Sequence, residues 1–381
     1  MTVKDGKIDF IQMLRGIAAV SVTIFHARGH LPSQSPFSQG LFSAASSGVD
    51  IFFMISGFIM VYTTRNSNGS FLYFSKFMLK RFARIWPMYL VLTFLYIILM
   101  LLSAYIINRV DVDPSVTDIL KSLFFIPLIL DKSDGPFWGG SVLHTGWTLN
   151  FEMYFYSFFA ISLLFGRYKW LLFFSWVIFT LILLPSMAGN ISLDPKHYYG
   201  WDWGYLNLIT SPLIWEFVVG VIIGLIYFSK IRIKNTKICW LLCLLALSFT
   251  MWYFLGGINP GFGIINWGLP YVILFSILVI SSKSIEIKSP YFLVWLGNIS
   301  FSLYLIHPLV IHPLANIAWE FESLRNSLQD MSYIIFLTVL SICFAAVAHE
   351  FLEKRLSNWF RDKLFTLLKI KPEGRKDISS N

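Results

Sequence analysis

Apolar runs long enough to cross a membrane recur along this chain from residue 8 to about residue 352. A helix needs roughly 20 apolar residues to span a hydrocarbon core about 30 Å thick. Lipid offers the backbone no hydrogen bonds, so such a run must satisfy its own polar groups as a helix. The chain is 56% hydrophobic and 13% charged, far from the ~25% charged residues of soluble domains. An all-α, polytopic integral membrane protein is therefore predicted.

About ten transmembrane helices are predicted from the runs that approach the spanning length. They are placed at 9–28, 47–64, 85–107, 147–165, 170–188, 208–228, 238–256, 268–282, 291–313 and 332–352. The apolar stretch at 118–131 is too short to span and contains Pro127, which indicates an interfacial or re-entrant segment on the outer side. We expect one transmembrane domain over residues 1–353 and a basic cytoplasmic tail over 354–381.

The distribution of Lys and Arg predicts the orientation of the bundle. With both termini in the cytoplasm, the inner segments hold 23 of the 30 basic residues and the outer segments hold six, while Arg15 lies within the first helix. Cytoplasmic segments of membrane proteins carry this excess of positive charge. The net charge of +9 is therefore explained by topology, and nucleic acid is not an expected partner. A multi-pass protein of the bacterial cytoplasmic membrane is expected.

Arg15 and His26 lie eleven residues apart within the first apolar run. At ~100° per residue, eleven steps return to nearly the same helix face, and at ~1.5 Å per residue they separate the groups by about 16 Å. An ionisable residue within a membrane helix indicates a functional site, because burying its charge in hydrocarbon costs roughly 2.5–3.5 kcal/mol. One helix face thus presents a cation near the inner side and an imidazole near the outer side.

Other polar residues are expected in the outer half with His26. Helices two and four run inward, which places Asp50 near an outer helix end and Glu152 in the outer third. Helix nine runs outward and adds His307 and His312. A carboxylate can fix the tautomer of a histidine that takes a proton from a hydroxyl group. We therefore expect His26 to be the general base, Asp50 to orient it, and Glu152 to be a further catalytic residue and candidate partner of His26.

Arginines are expected on the opposite, inner side. Arg81 and Arg84 are one turn apart at the start of helix three, and Arg15 lies in the inner half of helix one. Guanidinium groups bind phosphates with paired hydrogen bonds. This layering suits an anionic donor that enters from the cytoplasm and a neutral acceptor that arrives from the other side.

Six segments carry these residues in chain order. They are LRGIAAVSVTIFH with Arg15 and His26, GVDIFFMISGFIM with Asp50, KRFARIWPMY with Arg81 and Arg84, WTLNFEMYFY with Glu152, WEFVVG with Glu216, and ISFSLYLIHPLV with His307. In that order, they resemble the signatures of the membrane acyltransferase 3 family of ten-helix acyltransferases, in the form seen in exopolysaccharide O-acetyltransferases. The chain departs from the family at Glu353-Lys354-Arg355, where relatives have Glu-x-Pro. This departure weakens any role for Glu353.

The resemblance implies transfer of an acyl group, usually acetyl from acetyl-CoA, to a hydroxyl of an extracytoplasmic or membrane-associated saccharide. Arg15, Arg81 and Arg84 would bind the acyl-CoA, and His307 and Trp147 would contact the acceptor. Direct transfer with His26 as base and a relay through an acyl-histidine are both open. No metal is expected, because the cysteines and histidines lack the spacing of a zinc site.

A transporter or flippase is the alternative prediction. Intramembrane histidines, arginines and carboxylates also mark substrate pathways and proton relays. The sequence has no evident inverted repeat, and its arginines gather on one side. Both features favour the acyltransferase.

Overall fold

The computed structural model describes residues 8–30, 42–107, 114–128, 140–256, 261–321 and 330–370. The regular elements in these ranges are helical, and one isolated antiparallel bridge joins Leu128 to Gly140. The α-helices are α1 (Asp9–Ala27), α2 (Gly48–Thr63), α3 (Phe71–Ile106), α4 (Val116–Leu123), α5 (Trp147–Leu163), α6 (Lys169–Ile178), α7 (Leu184–Met187), α8 (Gly204–Ile209), α9 (Ile214–Phe228), α10 (Thr236–Leu255), α11 (Gly268–Ser281), α12 (Tyr291–Asn298), α13 (Ser300–Glu320), α14 (Met331–Ala348) and α15 (Ser357–Leu367). The all-α prediction is confirmed for the described part of the chain.

Seven helical stretches in these ranges are long and apolar enough to cross a membrane. Three expected spans, at 147–165, 208–228 and 268–282, instead contain the shorter helices α5, α9 and α11. The break before α9 follows from Pro212, which lies between α8 and α9 and cannot continue a helix with a full set of hydrogen bonds. A turn that contains Gly263 at a φ of +107° precedes α11.

Close backbone contacts at glycines hold the centre of the bundle together. A Cβ added to Gly57 on α2 would meet the carbonyl oxygen of Phe217 on α9, and one added to Gly220 on α9 would meet that of Met54. A Cβ added to Gly297 on α12 would likewise meet the Gln12 carbonyl on α1. Small residues at such interfaces let membrane helices approach closely and gain van der Waals contact. The glycines therefore set the close spacing of α2 from α9 and of α1 from α12.

Helix α3 is the longest α-helix in the described ranges, with 36 residues, or about 54 Å. It begins well before the expected start at residue 85, so that its first turns hold Lys76, Lys80, Arg81 and Arg84. The short helix α4 packs against the middle of α3. Trp86 Nε1 donates a hydrogen bond to the Leu123 carbonyl at 3.1 Å, and the rings of Tyr89 and Phe125 stack with centroids 5.6 Å apart.

The C-terminal helix changes type where it passes the start of α13. Residues His349–Leu356, between α14 and α15, form a π-helix. Helix α15 then returns to α3, where the Phe360 ring stacks on Trp86 with centroids 5.4 Å apart. The expected boundary between residues 353 and 354 lies inside this continuous helical stretch. The last part of the expected tail, 371–381, lies outside the described residues.

Candidate functional site

Four histidines from three elements form a cluster, here called the histidine cluster. His26 comes from α1, His144 from the short 3-10 helix before α5, and His307 and His312 from α13. The His26 ring centroid lies 5.0 Å from that of His307, 5.7 Å from that of His144 and 6.3 Å from that of His312. His26 is thus surrounded by imidazoles. The predicted residues His26 and His307 are direct neighbours.

The histidine cluster runs from an accessible face into the protein interior. His144 is exposed, His26 and His312 are half-buried, and His307 is fully buried. His307 Nδ1 lies 3.1 Å from the Leu303 carbonyl oxygen, which accepts a hydrogen bond and so fixes the proton on Nδ1. The Nε2 lone pair of His307 is then an acceptor, and it is buried without a hydrogen-bond partner among the described residues. A buried acceptor of this kind can bind an incoming hydroxyl group.

Three arginines line an open cavity that lies apart from the histidine cluster and is here called the arginine cavity. It holds about 790 Å³ of empty space. The polar side chains that line it are Arg15, Ser56, Arg81, Arg84, Thr148, Glu152, Tyr156, Ser300 and Tyr304. The structure therefore brings together the three arginines that the sequence predicted as donor-binding residues, although they come from α1 and α3.

A second, more basic cavity of about 830 Å³ of empty space adjoins the arginine cavity and is here called the basic vestibule. Its lining residues are Thr63, Tyr73, Lys76, Phe77, Lys80, Arg81 and Arg84. Arg81 and Arg84 line both cavities. The Arg81 guanidinium lies 5.0 Å from the centre of the Tyr156 ring, a cation–π contact that helps to hold it between the two. An elongated anionic ligand that lies in either cavity can therefore contact both Arg81 and Arg84.

Tyr304 and Thr148 connect the arginine cavity with the histidine cluster. Their hydroxyl oxygens lie 3.0 Å apart, and both residues line the arginine cavity. The Tyr304 ring lies 5.9 Å from the His307 ring on the other side. Helix α1 is continuous from Asp9 to Ala27, so the predicted separation of about 16 Å between Arg15 and His26 is retained.

Glu152 lies in the arginine cavity and not in the histidine cluster. It accepts a hydrogen bond from Tyr156 on the next turn of α5. It also interacts electrostatically with Arg15 and Arg84. The prediction that Glu152 lies near His26 assumed that α5 begins at the outer surface. In the structure, α5 begins at the level of Tyr89, because a Cβ added to Gly146 would meet the Tyr89 hydroxyl. Glu152 is therefore deeper in the bundle than expected.

Asp50 is likewise away from His26 and pairs with Glu216. Asp50 Oδ1 accepts a hydrogen bond from the Gly263 backbone N–H at 2.9 Å, and its carboxyl group lies within hydrogen-bonding reach of Glu216. A Cβ on Gly48 would meet Ala18 and Val22 of α1. Asp50 follows Gly48 inward, so it lies below His26, and the structure does not bring together the expected Asp50–His26 pair.

Trp147 is part of the core. It is 4% exposed, and its ring packs against Phe53, Phe151 and Phe262 with centroids 6.0–6.3 Å apart. The buried Trp147 ring is therefore not the open aromatic platform for a sugar that the sequence allowed at this position.

Among the described residues, no group of three or more His, Cys, Asp or Glu side chains is arranged to hold a metal ion. The site instead combines imidazoles, guanidinium groups and hydroxyls. Such groups support acid–base chemistry on a substrate held by charge-assisted hydrogen bonds.

Comparison with known proteins assigns the family. The sequence profile of the acyltransferase 3 family, described as an acyltransferase domain, matches residues 8–350. The chain belongs to this family. It is therefore a multi-pass membrane acyltransferase, and the expected resemblance is confirmed. The profile covers both cavities and the whole histidine cluster.

Two relatives carry names that refer to exopolysaccharide production and to nodulation. The exopolysaccharide production protein ExoZ of Rhizobium meliloti (strain 1021) is 33% identical over 279 residues, which cover 72% of this chain and 79% of that protein. Nodulation protein 10 of Rhizobium leguminosarum bv. viciae is 28% identical over 344 residues, which cover 83% of this chain and 86% of that protein. No solved structure matches the chain.

Two residues of this acyltransferase site were missed by the sequence reasoning. His144 lies three residues before Trp147. A histidine so close to a recognised motif was the sequence signal that could have indicated a site residue. Glu353 lies just beyond the matched range and is 10% exposed beside Arg84. Its place at the family's Glu-x-Pro segment was the available signal, but the missing proline argued against a role.

Proposed function

We propose that this acyltransferase transfers an acetyl group from acetyl-CoA, bound in the arginine cavity and basic vestibule, to a hydroxyl group of an extracytoplasmic or membrane-associated saccharide at the histidine cluster. The observation that carries the proposal is the connection between the two sites. Tyr304 and Thr148 line the arginine cavity, and Tyr304 packs against His307. The Tyr304 side chain therefore separates a donor held by the arginines from the histidines, and the acyl end would have to pass it to react.

The donor end is assigned to the basic residues. Lys76 and Lys80 of the basic vestibule bind the nucleotide phosphates, while Arg81 and Arg84 bind the diphosphate with paired hydrogen bonds. Arg15 holds the pantetheine arm where it enters the arginine cavity. Glu152 orients Arg15 and Arg84, since its carboxylate interacts with both.

The reaction itself is assigned to His26. His26 removes the proton of the incoming hydroxyl as its oxygen attacks the thioester carbonyl. His307 Nε2 accepts a hydrogen bond from a second hydroxyl group of the same saccharide. A new C–O bond forms and the C–S bond breaks. The departing CoA thiolate then takes the proton from the His26 imidazolium, so the enzyme is returned to its starting state. This is direct transfer, without an acyl-histidine intermediate.

The name of the relative ExoZ supports an exopolysaccharide as the acceptor. We further propose ten membrane-crossing segments, both termini in the cytoplasm, and a location in the bacterial cytoplasmic membrane. Residues 1–353 would form the transmembrane domain and 354–381 the tail. The basic vestibule would then open to the cytoplasm, where acetyl-CoA is made.

The test uses the full-length protein purified into lipid nanodiscs with [14C]acetyl-CoA. Lipid-linked saccharides extracted from cells that lack the gene serve as acceptors. We expect label to enter the saccharide fraction, and Arg84→Gln to raise the KM for acetyl-CoA by about tenfold, the loss of one charge-assisted contact. Movement of unlabelled saccharide across liposomes without acylation would instead support a transporter and overturn the proposal.

A further inference from the structure

We propose that Glu353 is a positioning residue for the acyl donor, because it holds Arg84 in the orientation that faces the arginine cavity. This inference rests on the proposed function, since it assumes that Arg84 binds the donor. It goes beyond that function by assigning a role to Glu353, which lies just past the matched range and lacks the proline that follows this glutamate in relatives.

The π-helix His349–Leu356 places Glu353 against the bundle. Its Oε2 accepts hydrogen bonds from Ser302 Oγ at 2.6 Å and from His349 Nδ1 at 2.7 Å. Its Oε1 lies 4.0 Å from Arg84 Nη2. The three partners come from α13, the π-helix and α3. Glu353 therefore ties the donor-binding helix α3 to the helix that carries His307.

Glu353 differs from its neighbours in the π-helix. Its side chain is 10% exposed, whereas those of Glu350, Lys354 and Arg355 are 46%, 54% and 67% exposed. Glu350 pairs with Lys354 and Arg355 at the surface. A buried carboxylate is retained only where partners compensate for its lost hydration. In Glu353 those partners include a cation of the donor site.

The charge of Glu353 also balances the arginine cavity. Arg15 interacts electrostatically with Arg84, which it repels, and with Glu353 and Glu152, which attract it. Without Glu353, the two guanidinium groups would repel each other across the cavity with one fewer anion between them. Arg84, whose side chain is 38% exposed, would then turn toward the basic vestibule, which it also lines. Donor affinity falls as a result, while the histidine cluster is unchanged.

Steady-state kinetics in nanodiscs test this assignment. Glu353→Gln keeps the shape and removes the charge. We expect it to raise the KM for acetyl-CoA about tenfold and to leave kcat and the acceptor KM within about twofold. Glu353→Asp should recover part of the donor affinity. Glu350→Gln, in the same π-helix but at the surface, is the matched control and should behave as wild type.

A second variant keeps the test valid if Glu353→Gln folds poorly. Arg84→Gln/Glu353→Gln removes the cation and the anion together and so restores the charge balance. We expect its KM for acetyl-CoA to equal that of Arg84→Gln alone, because Glu353 acts through Arg84. An unchanged donor KM in Glu353→Gln, or additive effects in the double variant, would overturn the assignment. If wild type shows no transfer from acetyl-CoA, the proposed function fails instead.

Discussion

Asp50 and Glu216 are both fully buried and face each other at the base of the Gly263 turn. By distance and angle, Asp50 Oδ2 and both Glu216 oxygens are buried without a hydrogen-bond donor in the part of the chain that the structure describes. A carboxylate has no donor, so a hydrogen bond between the two requires that one of them carry a proton. We interpret the pair as a neutral acid that donates to a carboxylate, and as the anchor of the turn before α11.

This interpretation predicts that two substitutions of Glu216 lower the free energy of unfolding by different amounts. Glu216→Gln retains a donor for Asp50 and should change the free energy of unfolding by less than ~1 kcal/mol. Glu216→Ala leaves Asp50 buried without that partner and should destabilise the protein by about 1–3 kcal/mol. Thermal unfolding in detergent, monitored by near-UV circular dichroism, measures the difference in stability between the two variants. Equal melting temperatures for the two variants would exclude a proton-sharing pair.

At the scale of helices, the apolar runs predicted most of what the structure contains. Helix α1 has the expected bounds to within one residue, and the late His307 segment is helical as expected. The arginines that converge on one cavity could also be predicted, because their depths followed from helix direction alone. Periodicity and the positive-inside bias are the physical signals behind these successes.

Features that depart from the α-helical period could not be predicted. The π-helix with i→i+5 hydrogen bonds changes which side chains share a face, so Glu353 turns toward Arg84. His144 lies in a three-residue 3-10 helix that has no periodic signature. Asp50 was assigned to His26 from depth, but the glycine contact at Gly48 shifts α2 inward along α1. Such contacts are tertiary and leave no mark in one sequence.

The packing of α2 on α9 yields a prediction at this scale. Gly57→Ala would place a methyl group against the Phe217 carbonyl oxygen, at a separation that real Cβ atoms do not show. We expect the helices to separate and the free energy of unfolding to fall by about 1–3 kcal/mol. Melting temperatures of purified protein report this loss. Gly29→Ala, where an added Cβ meets nothing within 4 Å, is the control and should melt as wild type does.

At the scale of the whole molecule, orientation decides which cavity meets the cytoplasm. Reporter fusions test the proposed orientation. Alkaline phosphatase fused after residue 381 should be inactive, because the enzyme folds only outside the cytoplasm. The same reporter inserted at Pro195, in the segment between α7 and α8, should be active. Activity at the C-terminus would place the basic vestibule on the outer side and remove its access to cytoplasmic acetyl-CoA.

At the scale of the whole molecule, two chemically distinct sites lie apart along α1. The basic vestibule and arginine cavity are lined by lysines and arginines, and the histidine cluster contains four imidazoles near the C-terminal end of α1. Arg15 and His26 mark the two ends, about 16 Å apart. We propose that an acyl donor longer than this separation binds at one end and reacts at the other.

The most direct test measures acyl transfer by His26→Ala in nanodiscs with [14C]acetyl-CoA and extracted lipid-linked saccharides. His197→Ala is the matched control, because His197 lies outside the histidine cluster and packs on Tyr199. We predict that His26→Ala retains the wild-type melting temperature and donor affinity but loses transfer by about 10²–10⁴-fold, the usual contribution of a general base. Transfer that persists at the wild-type rate in His26→Ala would contradict the assignment of His26 as the general base.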